Sequence, residues 1–297
     1  MDDTDNSMVT VRDALEYASG ALREEGIDTP MLDARLLLAR AMGRDMLWLV
    51  THENTCLTDT EAARFNRSMT ERLAHRPVAY ITGVKEFYGR SFRVTEGVLI
   101  PRPDTETAVE AVLEYADRYA GQVRILDLCC GSGAIGLSVA ASLPRCYVTL
   151  SDISRTAIDV TVQNASLLGT DNCEIIQSDL FEDLPPMSYD IIVSNPPYVS
   201  GDEMGTLSAE IQLWEPREAL YGGVDGLSFY RQIISEAPGM FRNRGTLIME
   251  IGFDQARDVE KLLKDAGYED ISFKNDLAGI PRVVCAGHSG ASRGELL

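Results

Sequence analysis

The chain has 297 residues, with 27 Lys and Arg against 46 Asp and Glu, for a formal net charge of −19. Its 45% hydrophobic and 25% charged residues describe a globular protein, exclude disorder over most of the length, and at about 150 residues per domain leave room for two domains. So large an acid excess repels phosphate backbones and anionic membrane surfaces at long range, which argues against direct nucleic-acid or membrane binding.

The N-terminal quarter reads as helices. Thr10-Val11-Arg12-Asp13 resembles a capping box, after which Val11, Leu15, Ala18 and Leu22 share one helical face up to Gly26. Thr29-Pro30 is an N-cap and first-turn pair, followed by Leu32, Leu36 and Ala39, with Gly43 as a stop. Asp45 opens a short apolar stretch, Met46 to Val50. Thr58-Asp59-Thr60-Glu61 is a second capping box. Ala62, Phe65, Met69 and Leu73 continue at helical spacing until Pro77 bars extension. The spacing predicts a small helical bundle over 1–76, suited to docking a substrate. The period then changes, and Phe87-Tyr88 and Ser91-Phe92 around Gly89-Arg90 predict a β-hairpin with a Gly-X turn in a connector over 77–98.

From residue 99 strand and helix alternate. Helices are expected at 105–119, 134–142, 158–168, 227–241 and 255–266, and strands at 123–128, 147–150, 174–177, 190–194 and 246–251. Two closing strands, 270–274 and 282–286, have no helix between them and should pair antiparallel. Such alternation predicts a doubly wound α/β sheet with helices on both faces and ligands beyond the carboxyl ends of the strands. This domain is expected to span 99–288, with a frayed tail over 289–297.

No apolar run nears the roughly 20 residues that span a bilayer, and the acidic start, Met1 to Asp5, is unlike a signal peptide. The six cysteines form no C-x-x-C pair and read as buried free thiols of a reducing cytoplasm. His52, His75 and His288 lack metal-type spacing, so no metal is expected.

Three signals carry chemistry, each at the end of an expected strand. Asp127-Leu128-Cys129-Cys130-Gly131-Ser132-Gly133 is a glycine turn that lets a ligand approach the backbone. It lacks both G-x-G-x-x-G and the Lys-Ser/Thr of a P-loop, which disfavours NAD and ATP. Asp152, about 20 residues further on, can accept ribose hydroxyls, and Asp179 is a candidate for an adenine edge. Ser194-Asn195-Pro196-Pro197-Tyr198 offers an amide oxygen, free carbonyls beside two prolines and an aromatic wall, a set that suits a planar NH2 group.

Asn-Pro-Pro-Tyr, the glycine turn and the acid of the second strand together resemble the S-adenosylmethionine-dependent amino-methyltransferases. The likeness narrows at Leu99-Ile100-Pro101-Arg102-Pro103-Asp104-Thr105-Glu106, Glu215 to Leu220, Gly222 to Leu227 and Glu250-Ile251-Gly252. These resemble motifs of the release-factor glutamine N5-methyltransferases, the HemK/PrmC family, over nearly the whole chain. The resemblance implies a Rossmann-like class I methyltransferase domain behind the helical one. It also implies methylation of the glutamine of a Gly-Gly-Gln loop in peptide chain release factors, a step in translation termination. A cytoplasmic monomer is expected, since partner docking must leave the site open.

Carried onto this sequence, the resemblance implies that Asn195, Pro196 and Tyr198 are catalytic and that Pro197, Pro101 and Arg102 join them in binding substrate. S-adenosylmethionine would lie against Cys129, Cys130, Gly131, Ser132, Gly133, Asp152, Asp179, Leu180 and Asn195. One departure stands out: the family's D-x-G-x-G-x-G has Cys129 at its first glycine here, and a cysteine is expected to hold an ordinary negative φ. The same chemistry suits two other acceptors, a glutamine of a ribosomal protein or the N6 amino group of adenine. The second sits poorly with four lysines and a charge of −19.

Overall fold

The computed structural model describes residues 9–186 and 188–289, so the expected acidic start and most of the expected tail lie outside the described residues. In chain order the elements are α1 (Val11–Glu24), α2 (Pro30–Met42), α3 (Met46–Thr51), α4 (Asp59–Leu73), α5 (Val78–Thr82), β1 (Val84–Phe87), β2 (Arg90–Arg93), α6 (Glu106–Ala116), β3 (Val123–Leu128), α7 (Ala134–Ser142), β4 (Cys146–Asp152), α8 (Arg155–Leu168), β5 (Cys173–Gln177), β6 (Tyr189–Ser194), α9 (Ala209–Trp214), α10 (Ser228–Glu236), β7 (Phe241–Glu250), α11 (Ala256–Asp265), β8 (Glu269–Asn275) and β9 (Pro281–His288). The chain divides into two compact units, Met1–Val84 with Ser208–Trp214, and Lys85–Leu207 with Glu215–Leu297. The division falls beyond the Arg76–Pro77 boundary read from sequence: α4 ends at Leu73, and α5, which Pro77 precedes as N-cap, stays with the helical unit.

In the helical unit both capping boxes form. Thr10 Oγ1 accepts from Asp13 N at 3.2 Å and Thr58 Oγ1 from Glu61 N at 3.3 Å, each answering an orphan amide of the first turn. The core is built from Val11, Ala18, Leu22, Leu37, Leu38, Leu49, Phe65 and Met69. On α2 the buried face is rotated from the expected one: Ala34, Leu37, Leu38 and Ala41 point inward beside the expected Ala39, while Leu32 is exposed. Buried Asp33 accounts for the rotation, since its carboxylate must reach the buried Arg72 guanidinium of α4, 2.7 Å away. Helix α9 joins this unit through Arg72 to Glu210 at 2.8 Å and Trp214 Nε1 to the Ala74 carbonyl at 3.1 Å.

The second unit is a seven-stranded sheet in the order β5-β4-β3-β6-β7-β9-β8. The first five of these strands run parallel, and β9 pairs antiparallel with both β7 and β8, the expected closing pair. Burial alternates with period two, so Ile125, Ile191, Ile248 and Val283 face a core with α6 and α7, and Leu126, Ile192, Leu247 and Val284 face one with α10 and α11. Strand order reverses between β3 and β6, which opens a crevice at their carboxyl ends. No helix of the described residues is long and apolar enough to cross a membrane.

The hairpin is present, but its turn is Tyr88-Gly89 rather than Gly89-Arg90. Both turn residues have positive φ, 49° and 67°, the primed geometry that suits the twist of a tight hairpin. The Tyr88 amide is held by the Glu106 carboxylate at 2.8 Å, a distant partner that no local pattern announces.

Candidate active site

The floor of the crevice is the turn between β3 and α7. Cys129, Gly131 and Gly133 all have positive φ, 60°, 56° and 77°. The expectation for Cys129 is therefore corrected: the cysteine occupies the left-handed region that ordinarily favours glycine. The surrounding bonds overdetermine the backbone there. Cys130 N donates to the Ser151 carbonyl at 2.9 Å, Gly131 N to Asp152 Oδ2 at 2.8 Å, and Gly133 N to the Cys130 carbonyl at 2.8 Å. Together they outweigh the roughly 1–2 kcal/mol that a Cβ costs in this conformation. Burial pushes both adjacent thiols up, so neither is a thiolate nucleophile.

Beneath the turn, the buried Asp127 carboxylate accepts the Gly136 amide of α7 at 2.7 Å. Burial pushes this carboxyl up to about 7, opposed by the Gly136 hydrogen bond and reinforced by the charge of Asp152. Asp152 ends β4 with one oxygen on Gly131 N and the other on Ser154 N, at 2.8 and 2.9 Å. Both bonds fix the carboxylate while leaving each oxygen a further lone pair. Burial raises its pKa, against three backbone hydrogen bonds that lower it.

The third wall follows β6. Ser194 Oγ donates to the Leu128 carbonyl at 2.8 Å and ties the two strand ends together. Asn195 Nδ2 donates to Thr105 Oγ1 at 3.4 Å, and the Tyr198 hydroxyl to Glu250 Oε1 at 3.4 Å. The loop is backed by Gln255, whose Nε2 donates to the Tyr198 carbonyl at 2.9 Å. Gly222 packs so closely that a Cβ there would lie 2.7 Å from the Pro197 carbonyl. Across the crevice, the segment from Leu99 to Pro103 is pinned by buried Glu215, which accepts the Ile100 amide at 3.3 Å and pairs with Arg102.

These walls enclose a cavity of about 630 Å³, within the size range of sites that take a cofactor. Of the expected residues it brings together Pro101, Arg102, Cys129, Cys130, Gly131, Ser132, Asp152, Asp179, Leu180, Asn195 and Pro197. A smaller cavity of about 50 Å³ adjoins, lined in part by Arg102, Asn195, Tyr198 and Glu250. Gly133 and Pro196 line neither. Gly133 is needed for packing, since a Cβ there would meet Leu137 and Thr161 side-chain carbons at 2.9 Å. The large cavity carries three acids, Asp152, Asp179 and Glu218, against Arg102, whose charge is already paired with Glu215. That balance fits a cationic ligand, and the fixed Asp152 carboxylate fits a diol.

Sequence reasoning left Thr105, Glu215 and Glu250 out of the site. Glu250 had a signal, a carboxylate closing the otherwise apolar run Leu247-Ile248-Met249, whereas Thr105, at the helical turn before α6, and Glu215, in a loop, had none beyond their motifs.

A family model described as PrmC N-terminal domain matches residues 13–83, and one described as Methyltransferase small domain matches residues 105–223. A release factor glutamine methyltransferase of Cereibacter sphaeroides is 42% identical over 92% of this chain and 97% of its own length. One of Clostridium acetobutylicum is 38% identical over 94% and 99%. The solved structure of a methyltransferase from Pyrococcus furiosus is similar in fold, with a TM-score of 0.51 over 75% of this chain and 98% of that one, at 14% identity.

Proposed function

The chain belongs to the release factor glutamine methyltransferases, and from that premise we infer that it methylates the side-chain amide nitrogen of a glutamine in peptide chain release factors, with S-adenosylmethionine as donor. The acceptor is the N5 nitrogen of the glutamine in a Gly-Gly-Gln loop. Bound in the large cavity, the cofactor supplies a methyl group on a positively charged sulfur. The residues of the chain do the rest.

An amide nitrogen is a poor nucleophile because its lone pair is delocalised into the carbonyl. The observation that carries the reading is the position of Asn195, which lines both cavities while its Nδ2 is turned to Thr105. Its Oδ1 is left to accept from a substrate NH2 at the junction of cofactor space and substrate space. An acceptor aimed there holds the nitrogen in line for transfer. It also stabilises the positive charge that grows on nitrogen as the new bond forms. Tyr198, which lines the smaller cavity, packs against the amide plane. Asp152 accepts the ribose hydroxyls and Asp179 the adenine amino group, with Ile153 as an apolar shelf.

Incubation with labelled S-adenosylmethionine and release factor, ribosomal protein or nucleic acid tests the reading. Label is expected on release factor, and label on either of the others instead overturns it. Asn195→Ala should slow single-turnover transfer by about 10²–10³, the cost of one aimed hydrogen-bond partner. Its cofactor affinity should stay within about tenfold, or 1.4 kcal/mol.

A further inference from the structure

Three large apolar side chains stand exposed on turns attached to the wall of the smaller cavity: Val224, Phe253 and Leu277, 83%, 63% and 108% accessible. Scattered singly, such residues are ordinary on a protein surface. These three share a scaffold. Val199 and Leu220 line the cavity, and their segments are laced together. Val199 N donates to the Leu220 carbonyl at 2.8 Å, Gly222 N to the Val199 carbonyl at 2.9 Å and Gly201 N to the Val224 carbonyl at 3.1 Å. Gln255 joins the turn that carries Phe253: its Oε1 accepts the Gly252 amide at 3.0 Å, while its Nε2 donates to the Tyr198 and Gly226 carbonyls at 2.9 and 3.4 Å. The turn between β8 and β9, which carries Leu277, is attached just beyond the end of β7. There Ile251 N donates to the Arg282 carbonyl at 2.9 Å, and Arg282 pairs with Asp276 at 3.1 Å.

The scaffold is held backbone to backbone. A Cβ on Gly226 would lie 2.5 Å from the Tyr198 carbonyl oxygen, and one on Gly222 would lie 2.7 Å from Tyr198 Cα. Asp276 Oδ1 accepts the Ala278 and Ile280 amides at 2.9 and 3.0 Å and fixes the third turn. Side chains carried on fixed backbone have less freedom to lose when a partner covers them.

The size of the cavity says what meets this rim. Its volume of about 50 Å³ suits a group the size of about one or two waters, enough for an amide and far too little for the protein that carries it. In a Gly-Gly-Gln loop the two residues before the glutamine have no side chains. Next to the glutamine the substrate therefore brings only backbone, and apolar contacts fall to residues further out. We propose that Val224, Phe253 and Leu277 form a docking rim for release factor, covered by apolar side chains that flank its Gly-Gly-Gln loop. The proposal rests on the release-factor reading above and deepens it, naming a surface that holds the protein while its glutamine enters the cavity.

The triple variant Val224→Ser, Phe253→Ser, Leu277→Ser tests this. KM for intact release factor should rise about tenfold or more, the scale of burying one or two apolar side chains. The kcat at saturating release factor should stay within about twofold, and cofactor affinity by calorimetry should match wild type, which also reports folding. Val162→Ser with Leu167→Ser, on α8 and exposed to 50% and 52%, is the control and should leave KM in place. An unchanged KM in the triple variant overturns the proposal, and so does an equal rise in the α8 variant or a fall in kcat at constant KM. Sedimentation in which the wild type self-associates and the triple variant does not also overturns it, because a second copy of the chain then covers the rim. Should the triple variant fail to fold, Phe253→Ser alone is judged by the same KM criterion. Failure of the release-factor reading would look different, since the wild type itself would then place no label on release factor.

Discussion

Replacing Cys129 by glycine and by alanine measures the strain stored in the cofactor turn. Cys129 has φ of 60°, where a Cβ costs roughly 1–2 kcal/mol and glycine costs none. At an ordinary position alanine is the more stable of the two by about 0.4–1 kcal/mol, because glycine has more freedom to lose on folding. The first effect exceeds the second, so Cys129→Gly should be more stable than Cys129→Ala by about 1 kcal/mol. Both variants lose the sulfur, which cancels its packing contribution from the comparison. Cys130 is the control: it is buried beside Cys129 but is not left-handed, and there the alanine variant should win. Urea unfolding with equal slopes for each pair gives the differences directly. If Cys129→Ala proves at least as stable as Cys129→Gly, the cysteine is not strained and the turn has relaxed around it.

Two further outcomes are expected. Asp152→Ala should weaken S-adenosylmethionine binding by about 1.5–3 kcal/mol, the worth of hydrogen bonds to a charged group, since it also frees the Gly131 and Ser154 amides; unchanged affinity by calorimetry would remove Asp152 from the site. The helical unit should add release-factor affinity rather than chemistry, so removing its exposed Tyr17 and Leu47 side chains, 80% and 73% accessible, should raise KM for release factor and leave kcat in place. A fall in kcat at constant KM would refute that role.

The sheet was legible because its inner strands are buried on both faces and read as apolar runs, each separated from the next by a helix or a turn. The two Thr caps were legible because a capping box is written within four residues. What failed locally was set by distant partners. The face of α2 follows from Asp33 meeting Arg72, and the hairpin turn lies one residue early where Glu106 holds the Tyr88 amide. Neither pairing leaves a periodic trace.

The same division runs through the active site. Asp152 ends β4 and Asn195 follows β6, so sequence order alone locates them at the mouth of the crevice. The direction in which Asn195 presents its amide is another matter, because its partner Thr105 is 90 residues away. A sequence motif can thus specify the hydrogen-bonding group without specifying its orientation. Glu250 nonetheless left one readable mark, since a buried carboxylate costs several kcal/mol unless something compensates it. Three consecutive apolar residues precede it in β7, and a strand that buries Met249 gains nothing for its core by burying a carboxylate next. Selection on stability alone favours an apolar residue at that point. A buried glutamate at the carboxyl end of such a strand, where ligands bind, therefore marks a candidate site residue rather than a core one.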